Sequence, residues 1–224
     1  RNGSLEIKSL KFEGSLEQLK QLDSRANKNL FVAEIIFKQV DWLSPLPPIK
    51  RVMGSLQYKN GDGFLKINKG RFKGLPIENL SGVVRGMTNN PVADLSLDNE
   101  IQMKQLNRAL KKAIEGESFQ DILDDYQDIV GKGLLKVKLQ GPLDEQEKIS
   151  IEGSLSMKEV SFYDQELKSR IKNFNGEILY KHFPVEQKLK NQLPIPILTF
   201  KNLSGNFGKS SFRNMQGEIL QKGK

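Results

Sequence analysis

The side chains that could do chemistry are few and do not converge. The chain holds one histidine, His182, in the stretch YKHFP. No serine or cysteine elbow accompanies it, so a hydrolytic triad has no nucleophile, and His182 is read as a loop residue. Gly131-Lys132-Gly133 lacks the spacing of a phosphate-binding loop, and no glycine-rich dinucleotide fingerprint occurs. Asp121, Asp124, Asp125 and Asp128 recur at helical spacing and could gather a cation. A calcium loop needs ligands at alternating loop positions and a glycine turn, so the four are assigned to a solvated helix face. The absence of cysteine removes disulfides, thiolate zinc sites and cysteine nucleophiles together. The expectation is a protein that is not an enzyme and that uses no cofactor and no metal.

What does recur is a phrase of eight residues: apolar, charged, Asn, apolar, polar, Gly, any, apolar. It reads IENLSGVV at 77–84, IKNFNGEI at 171–178, FKNLSGNF at 200–207 and FRNMQGEI at 212–219. The first apolar residue and the one three positions later differ in parity, so a regular strand would turn them to opposite faces. A bulge or tight turn at the charged-Asn pair repairs the register, and Asn suits such a bend. Asn79-Leu80-Ser81 and Asn202-Leu203-Ser204 also match the glycosylation pattern, but both coincide with the bend and are read as structural. After the bend, apolar, Gly and apolar fall on one face, with Gly82, Gly176, Gly205 and Gly217 in the middle. A glycine repeated among inward apolar residues weakens a strand unless it permits a bend or a close approach. Two architectures fit: a strongly curved sheet with an apolar concave side, or bends that close an ordinary sandwich core.

The elements that must carry this phrase are strands. Period-2 alternation is clearest in ISIEGSLSM at 149–157, where Ile149, Ile151, Leu155 and Met157 share one face and Ser150, Glu152, Ser154 and Ser156 the other. Similar patterns cover 4–13, 29–41, 51–59, 63–73, 77–87, 91–97, 132–140, 159–164, 168–180, 196–208 and 211–220. NGDG at 60–63 predicts a hairpin turn, and SPLPP at 44–48 a rigid break before the next strand. Two stretches read as helix: 99–115, behind an Asn cap, and 118–130, with an apolar stripe from Phe119 to Val130. The expected fold is mainly β: a long curved antiparallel sheet forming a repeating groove, with an inserted helical hairpin. Residues 1–98 form a first groove unit, 99–130 the helical insertion and 131–224 a second unit continuous with the first. The hairpin is expected to cap one end of the apolar surface through Met103, Leu106, Leu110, Ile122, Leu123 and Tyr126.

Composition bounds the function. Of 224 residues 37% are hydrophobic and 28% charged, ordinary for a soluble domain, and no run of about 18 apolar residues could span a bilayer. The opening RNGSLEIK has neither an initiator Met nor a signal-type apolar core and reads as part of a longer protein. The net charge of +8 comes from basic residues set singly in strand positions, without a nucleic-acid-binding motif, so no nucleic acid is expected as partner. A diffuse attraction to an anionic membrane surface is equally compatible with that charge.

The run VDWLSPLPPIKRVMGSLQYKNGDGFLKINKGRFKGLPIENLSGVVRG, followed by LLKVKLQGPLDEQEKISIEGSLSMKEVSFYDQ, resembles segments of the bacterial AsmA-like envelope proteins, nearest their YhdP-like branch. The resemblance covers most of 29–180. It implies a periplasmic segment of a protein anchored in the inner membrane by an N-terminal helix, with a hydrophobic β-groove carrying phospholipid between inner and outer membranes. The implied partners are phospholipid acyl chains and, through the rest of the parent protein, the two membranes. The face bearing Leu80, Val84, Ile149, Ile151, Leu155, Met157, Phe174 and Ile178 is then the candidate lipid groove. Related proteins also suggest an alternative, assembly of outer-membrane proteins through exposed strand edges, and a closed-core structural domain is the third possibility.

Overall fold

The computed structural model describes residues 3–21, 24, 26–42, 48–113, 121, 123–182 and 196–220. Their strands are β1 (Ser4–Phe12), β2 (Phe31–Trp42), β3 (Ile49–Lys59), β4 (Asp62–Phe72), β5 (Leu75–Ile77), β6 (Leu80–Arg85), β7 (Val92–Gln102), β8 (Tyr126–Pro142), β9 (Ser150–Asp164), β10 (Ser169–His182), β11 (Pro196–Phe207) and β12 (Ser210–Leu220). They form one antiparallel sheet in the order β1-β2-β3-β4-β6-β7-β8-β9-β10-β11-β12, with short β5 also on β4. Each long strand pairs with its predecessor in the chain, so the sheet is a meander. It is not closed: β1 and β12 are its two edges. The seam between the two expected units is itself a ladder, because β7 pairs with β8 from Val92–Pro142 to Gln102–Lys132.

The local reasons for this meander are in the turns. Asn60 and Gly61 have φ of 57° and 82°, the paired positive values of a type I′ turn, and Lys59 faces Asp62 across the hairpin. Ser15 opens a four-residue helix, α1 (Leu16–Leu19). Its hydroxyl accepts the Gln18 amide at 3.3 Å while the Gln18 side chain accepts the Ser15 amide at 2.8 Å, a reciprocal capping box.

The recurrent Asn is where the strands bend. Asn79, Asn173, Asn202 and Asn214 all have left-handed backbones, with φ of 54°, 51°, 53° and 54°. Gln39, Arg51, Asp128 and Glu159 adopt the same conformation, at 59°, 54°, 47° and 54°. Pairing slips at these positions: between Phe37 and Val40 on β2, Lys50 and Met53 on β3, Gln127 and Val130 on β8, Ile171 and Phe174 on β10, and Phe200 and Leu203 on β11. Each is a one-residue bulge, which bends its strand and raises the local twist. On β8 to β12 the bulges lie on adjoining strands at nearly the same level, since Val130 faces Ser161, Val160 faces Phe174 and Leu203 faces Met215. A crease therefore runs across that half of the sheet. The residue after the bend re-enters the apolar face, and Val52 and Val160 are each only 1% exposed.

The helical insertion is smaller than its periodicity predicts. Residues 99–102 continue β7, held by β8, and the helix α2 is Met103–Ala113. Asn99 is not its cap; it is a buried strand residue whose side-chain amide donates to the Pro76 carbonyl at 2.8 Å. Of the second expected helix, 118–130, Leu123 and Asp124 are helical, 114–120 and Ile122 lie outside the described residues, and Tyr126–Val130 is strand. The correction has a physical cause. Asp128-Ile129-Val130-Gly131 is another copy of the bulge phrase with Asp in place of Asn, and its pairing with β9 outweighs a helical apolar spacing only a few turns long. His182 likewise is the last residue of β10, facing Ile151, rather than a loop residue. Residues 44–47 of the proline-rich break lie outside the described residues.

Candidate functional site

In an antiparallel ladder directly opposed residues share a face. One rung of this sheet can be followed from edge to edge: Leu5, Phe37, Gly54, Ile67, Leu80 and Leu97, then Val137, Gly153, Tyr180, Leu198 and Ile219. Every member is apolar, aromatic or glycine. The neighbouring rung brings Ile151 level with Leu139, Leu95, Gly82 and Leu65, and on the other side Ile178 lies level with Leu155 and Leu135. The candidate residues Leu80, Val84, Ile149, Ile151, Leu155, Met157, Phe174 and Ile178 thus all lie on one face.

That face is not uniformly covered. Over β2 to β7 it packs into a core of Phe37, Val52, Leu65, Ile67, Ala93 and Leu95. Beyond β7, Ile149 and Met157 are buried, at 6% exposure each, while Ile151, Leu155, Phe174 and Ile178 are half-buried, as are Leu80 and Val84. At the edges the same face lies open: Leu5 and Ile7 are 62% and 63% exposed on β1, and Ile219 is 50% exposed on β12.

α2 lies over the β7–β9 part of this surface. Leu106 and Ala109 are buried against Leu75 and Ile101, with Met103, Leu110, Leu135 and Leu155 packed around them. Gly133 makes the approach possible, because a Cβ there would stand 3.1 Å from Met103 Sδ and 2.9 Å from Leu155 Cδ1. Of the expected capping residues, Met103, Leu106 and Leu110 take this position. Leu123 is buried as well, and Tyr126 instead stands on β8 with its ring 5.3 Å from that of Phe162. Phe162 in turn stacks edge-on against Phe174 at 5.5 Å, and Phe174 lies 6.2 Å from Phe212. This aromatic row follows the crease and was hidden in the sequence, because its members are separated by 36, 12 and 38 positions. Burial raises the pKa of the Tyr126 phenol, and the Asp164, Asp125 and Glu166 carboxylates raise it further.

The phrase glycines serve two ends. Gly82 and Gly176 have φ of 157° and 140°, and a Cβ on Gly82 would sit 2.1 Å from the Asp94 carbonyl oxygen, so the adjoining strand occupies the space. At Gly205 the Phe212 ring fills the gap, 2.8 Å from the position a Cβ would take, and Gly217 has no neighbour nearer than 3.9 Å. The bend itself belongs to the Asn three positions before each glycine.

The opposite face is polar. Lys132 donates to Glu100 at 2.6 Å and Lys136 lies 3.6 Å from Asp98, both pairs exposed between β8 and β7. At the β1 edge Lys38 donates to Glu6 at 2.5 Å and holds that carboxyl below its usual range. Such surface pairs keep the face wet and contribute little stability. The four aspartates do not form one helix face: Asp124 pairs with Lys111, and Asp128, at the β8 bulge, pairs with Arg170 at 3.2 Å. Among the described residues no three His, Asp or Glu side chains gather as a metal site, and no helix is long and apolar enough to cross a membrane.

In comparisons with known proteins, no family model, no curated protein and no solved structure matches the chain.

Proposed function

We propose that this chain is a lipid-conducting segment of an AsmA-like envelope protein, lying in the periplasm and carrying phospholipid acyl chains along its apolar face between inner and outer membranes. The observation behind it is the apolar rung from Leu5 to Ile219 on an unclosed sheet whose other face is charged. An exposed apolar surface of this extent needs a cover, and a hydrocarbon chain lying across β8 to β12 would bury Ile151, Leu155, Phe174 and Ile178 against itself. Each methylene so removed from water contributes about 0.8 kcal/mol. Moving a chain from one rung to the next exchanges like for like, so passage requires no chemistry on the lipid and no cofactor. Native mass spectrometry of the chain purified gently from bacterial cells tests this: bound phospholipid is expected, and repeated lipid-free preparations contradict it.

A second function has its own observation. The outer sides of β1 and β12 have no strand partner among the described residues, so either edge could accept an extended client strand, as an assembly factor for outer-membrane proteins would. Capture of strand-forming outer-membrane peptides by a lipid-free chain would favour that function over lipid carriage.

A further inference from the structure

We propose that two copies of this chain join along the outer edge of β12, antiparallel and about a twofold axis at Gln216, so that one sheet continues into the other. The proposal concerns the strand edge and does not rest on lipid carriage by the apolar face.

Five successive strands, β8 to β12, carry the same bend, at the left-handed Asp128, Glu159, Asn173, Asn202 and Asn214. Their ladders alternate between two registers. Between β9 and β10 the residues just after the bend oppose each other, Val160 and Phe174, and between β11 and β12 so do Leu203 and Met215. Between β8 and β9 it is the residues two places after the bend, Val130 and Ser161, and between β10 and β11 likewise Asn175 and Ser204. Each bent strand therefore has two distinct sides, and every ladder joins like side to like side. β12 uses its first side on β11. Its second side, centred on Gln216, faces outward with no strand partner among the described residues, and the second sides of β8 to β11 are all used within the sheet. The edge that matches it is therefore the same edge of another copy.

The β10–β11 ladder supplies the register, because β10 and β12 carry nearly the same phrase, IKNFNGEI and FRNMQGEI. There Lys172 opposes Asn206 and Glu177 opposes Lys201, while Ile171 opposes Phe207 and Ile178 opposes Phe200. The same offsets from Gln216 set Arg213 against Glu218 of the second copy and Phe212 against its Ile219, and the axis makes each contact twice. Opposite charges meet, and Ile219, 50% exposed on the single chain, gains an aromatic cover. Directly opposed residues share a face, so the apolar rung ending at Ile219 runs on into the second copy. β1, the other edge, has no left-handed residue to match the bend at Asn214. Pairing β12 with itself closes the assembly at two copies, where a β1–β12 contact would run on as a filament.

The chain has no cysteine, so a single introduced one reports the register. Directly opposed Cα atoms of an antiparallel pair lie about 4.5–5.5 Å apart, within disulfide reach. Gln216→Cys should crosslink to a dimer under mild oxidation. Lys209→Cys, also exposed, is held tens of ångströms from its counterpart by the same register and should not. Sedimentation equilibrium of the unmodified chain should show monomer and dimer in exchange. Arg213→Glu should weaken the dimer about tenfold, and adding Glu218→Arg to it should restore the dimer, a rescue that a merely structural role would not give. Should the single charge variant fail to fold by circular dichroism, the two cysteine variants decide alone. A chain that stays monomeric at its highest soluble concentration, equal crosslinking at 209 and 216, no rescue by the charge exchange, or assembly beyond two copies overturns the proposal. Phospholipid recovered from the purified chain is read separately, so the two proposals can fail independently.

Discussion

Asn175 on β10 accepts the backbone amide of Glu159 on β9 through its side-chain oxygen at 2.9 Å. Glu159 is the left-handed residue of the β9 bulge, and Asn175 lies two positions after Asn173, the left-handed residue of the β10 bulge. Asp41, two positions after Gln39 on β2, does the same for the amide of Arg51 on β3, also at 2.9 Å. A bulge frees a backbone amide from the ladder, and in both places a side chain of the neighbouring strand's bulge takes it up. At Asn175 the polar position of the recurrent phrase thus links one bend to the next, and Asp41 does the same from the β2 bend.

Removing that acceptor should loosen the crease. Asn175→Ala is expected to cost about 1 kcal/mol, the net worth of an ordinary hydrogen bond. Asn173→Val should cost roughly 1–2 kcal/mol or more because a branched side chain resists the left-handed region, whereas Asn173→Gly should be tolerated. Urea unfolding measures all three, and equal stability of the Val and Gly variants would remove the role given to the backbone conformation.

The glycines should divide by what stands next to them. Gly82→Ala would drive a methyl into the Asp94 carbonyl and should destabilise by several times as much as Gly217→Ala, whose nearest neighbour is 3.9 Å away. Thermal unfolding of the two variants compares them directly; equal losses would contradict the close strand approach seen at Gly82.

Tyr126 gives the chain an alkaline signature. Burial raises its pKa, so the folded chain favours the neutral phenol. The stability this contributes is complete below the unfolded value of about 10 and is lost as pH rises through the raised folded value. Above about pH 10 the melting temperature of the parent should therefore fall more steeply than that of Tyr126→Phe. Parallel curves would show that the phenol is not held neutral by the fold.

Much of this fold was legible because strands alternate with period 2 and because a turn such as Asn60-Gly61 specifies its own geometry. The bend was legible at Asn79, Asn173, Asn202 and Asn214, since Asn tolerates a left-handed backbone. It was hidden at Gln39, Arg51 and Glu159, whose residue types do not signal that conformation, and at Asp128, where the helical apolar spacing masks it. Tyr126–Val130 was misread as helix for that reason: its apolar spacing fits a helical period, and the partner that makes it a strand lies more than 30 residues away on β9. The shared face of the eight candidate residues followed from parity. Which of them are covered did not, because burial depends on where α2 comes down and on how far the sheet curls.

The central claim is that lipid lies on the apolar face and not on the charged one. Ile151 and Glu152 are neighbours in β9, with Ile151 level with Leu139 on the apolar side and Glu152 level with Lys138 on the polar side. A photoreactive benzoylphenylalanine placed at Ile151, and separately at Glu152, in the chain produced in bacterial cells can be irradiated there and the crosslinked product analysed for phospholipid. Lipid attached at position 151 and not at 152 is the result expected; equal labelling at both positions, or none at 151 in a correctly folded protein, would contradict the assignment of this face as the lipid path.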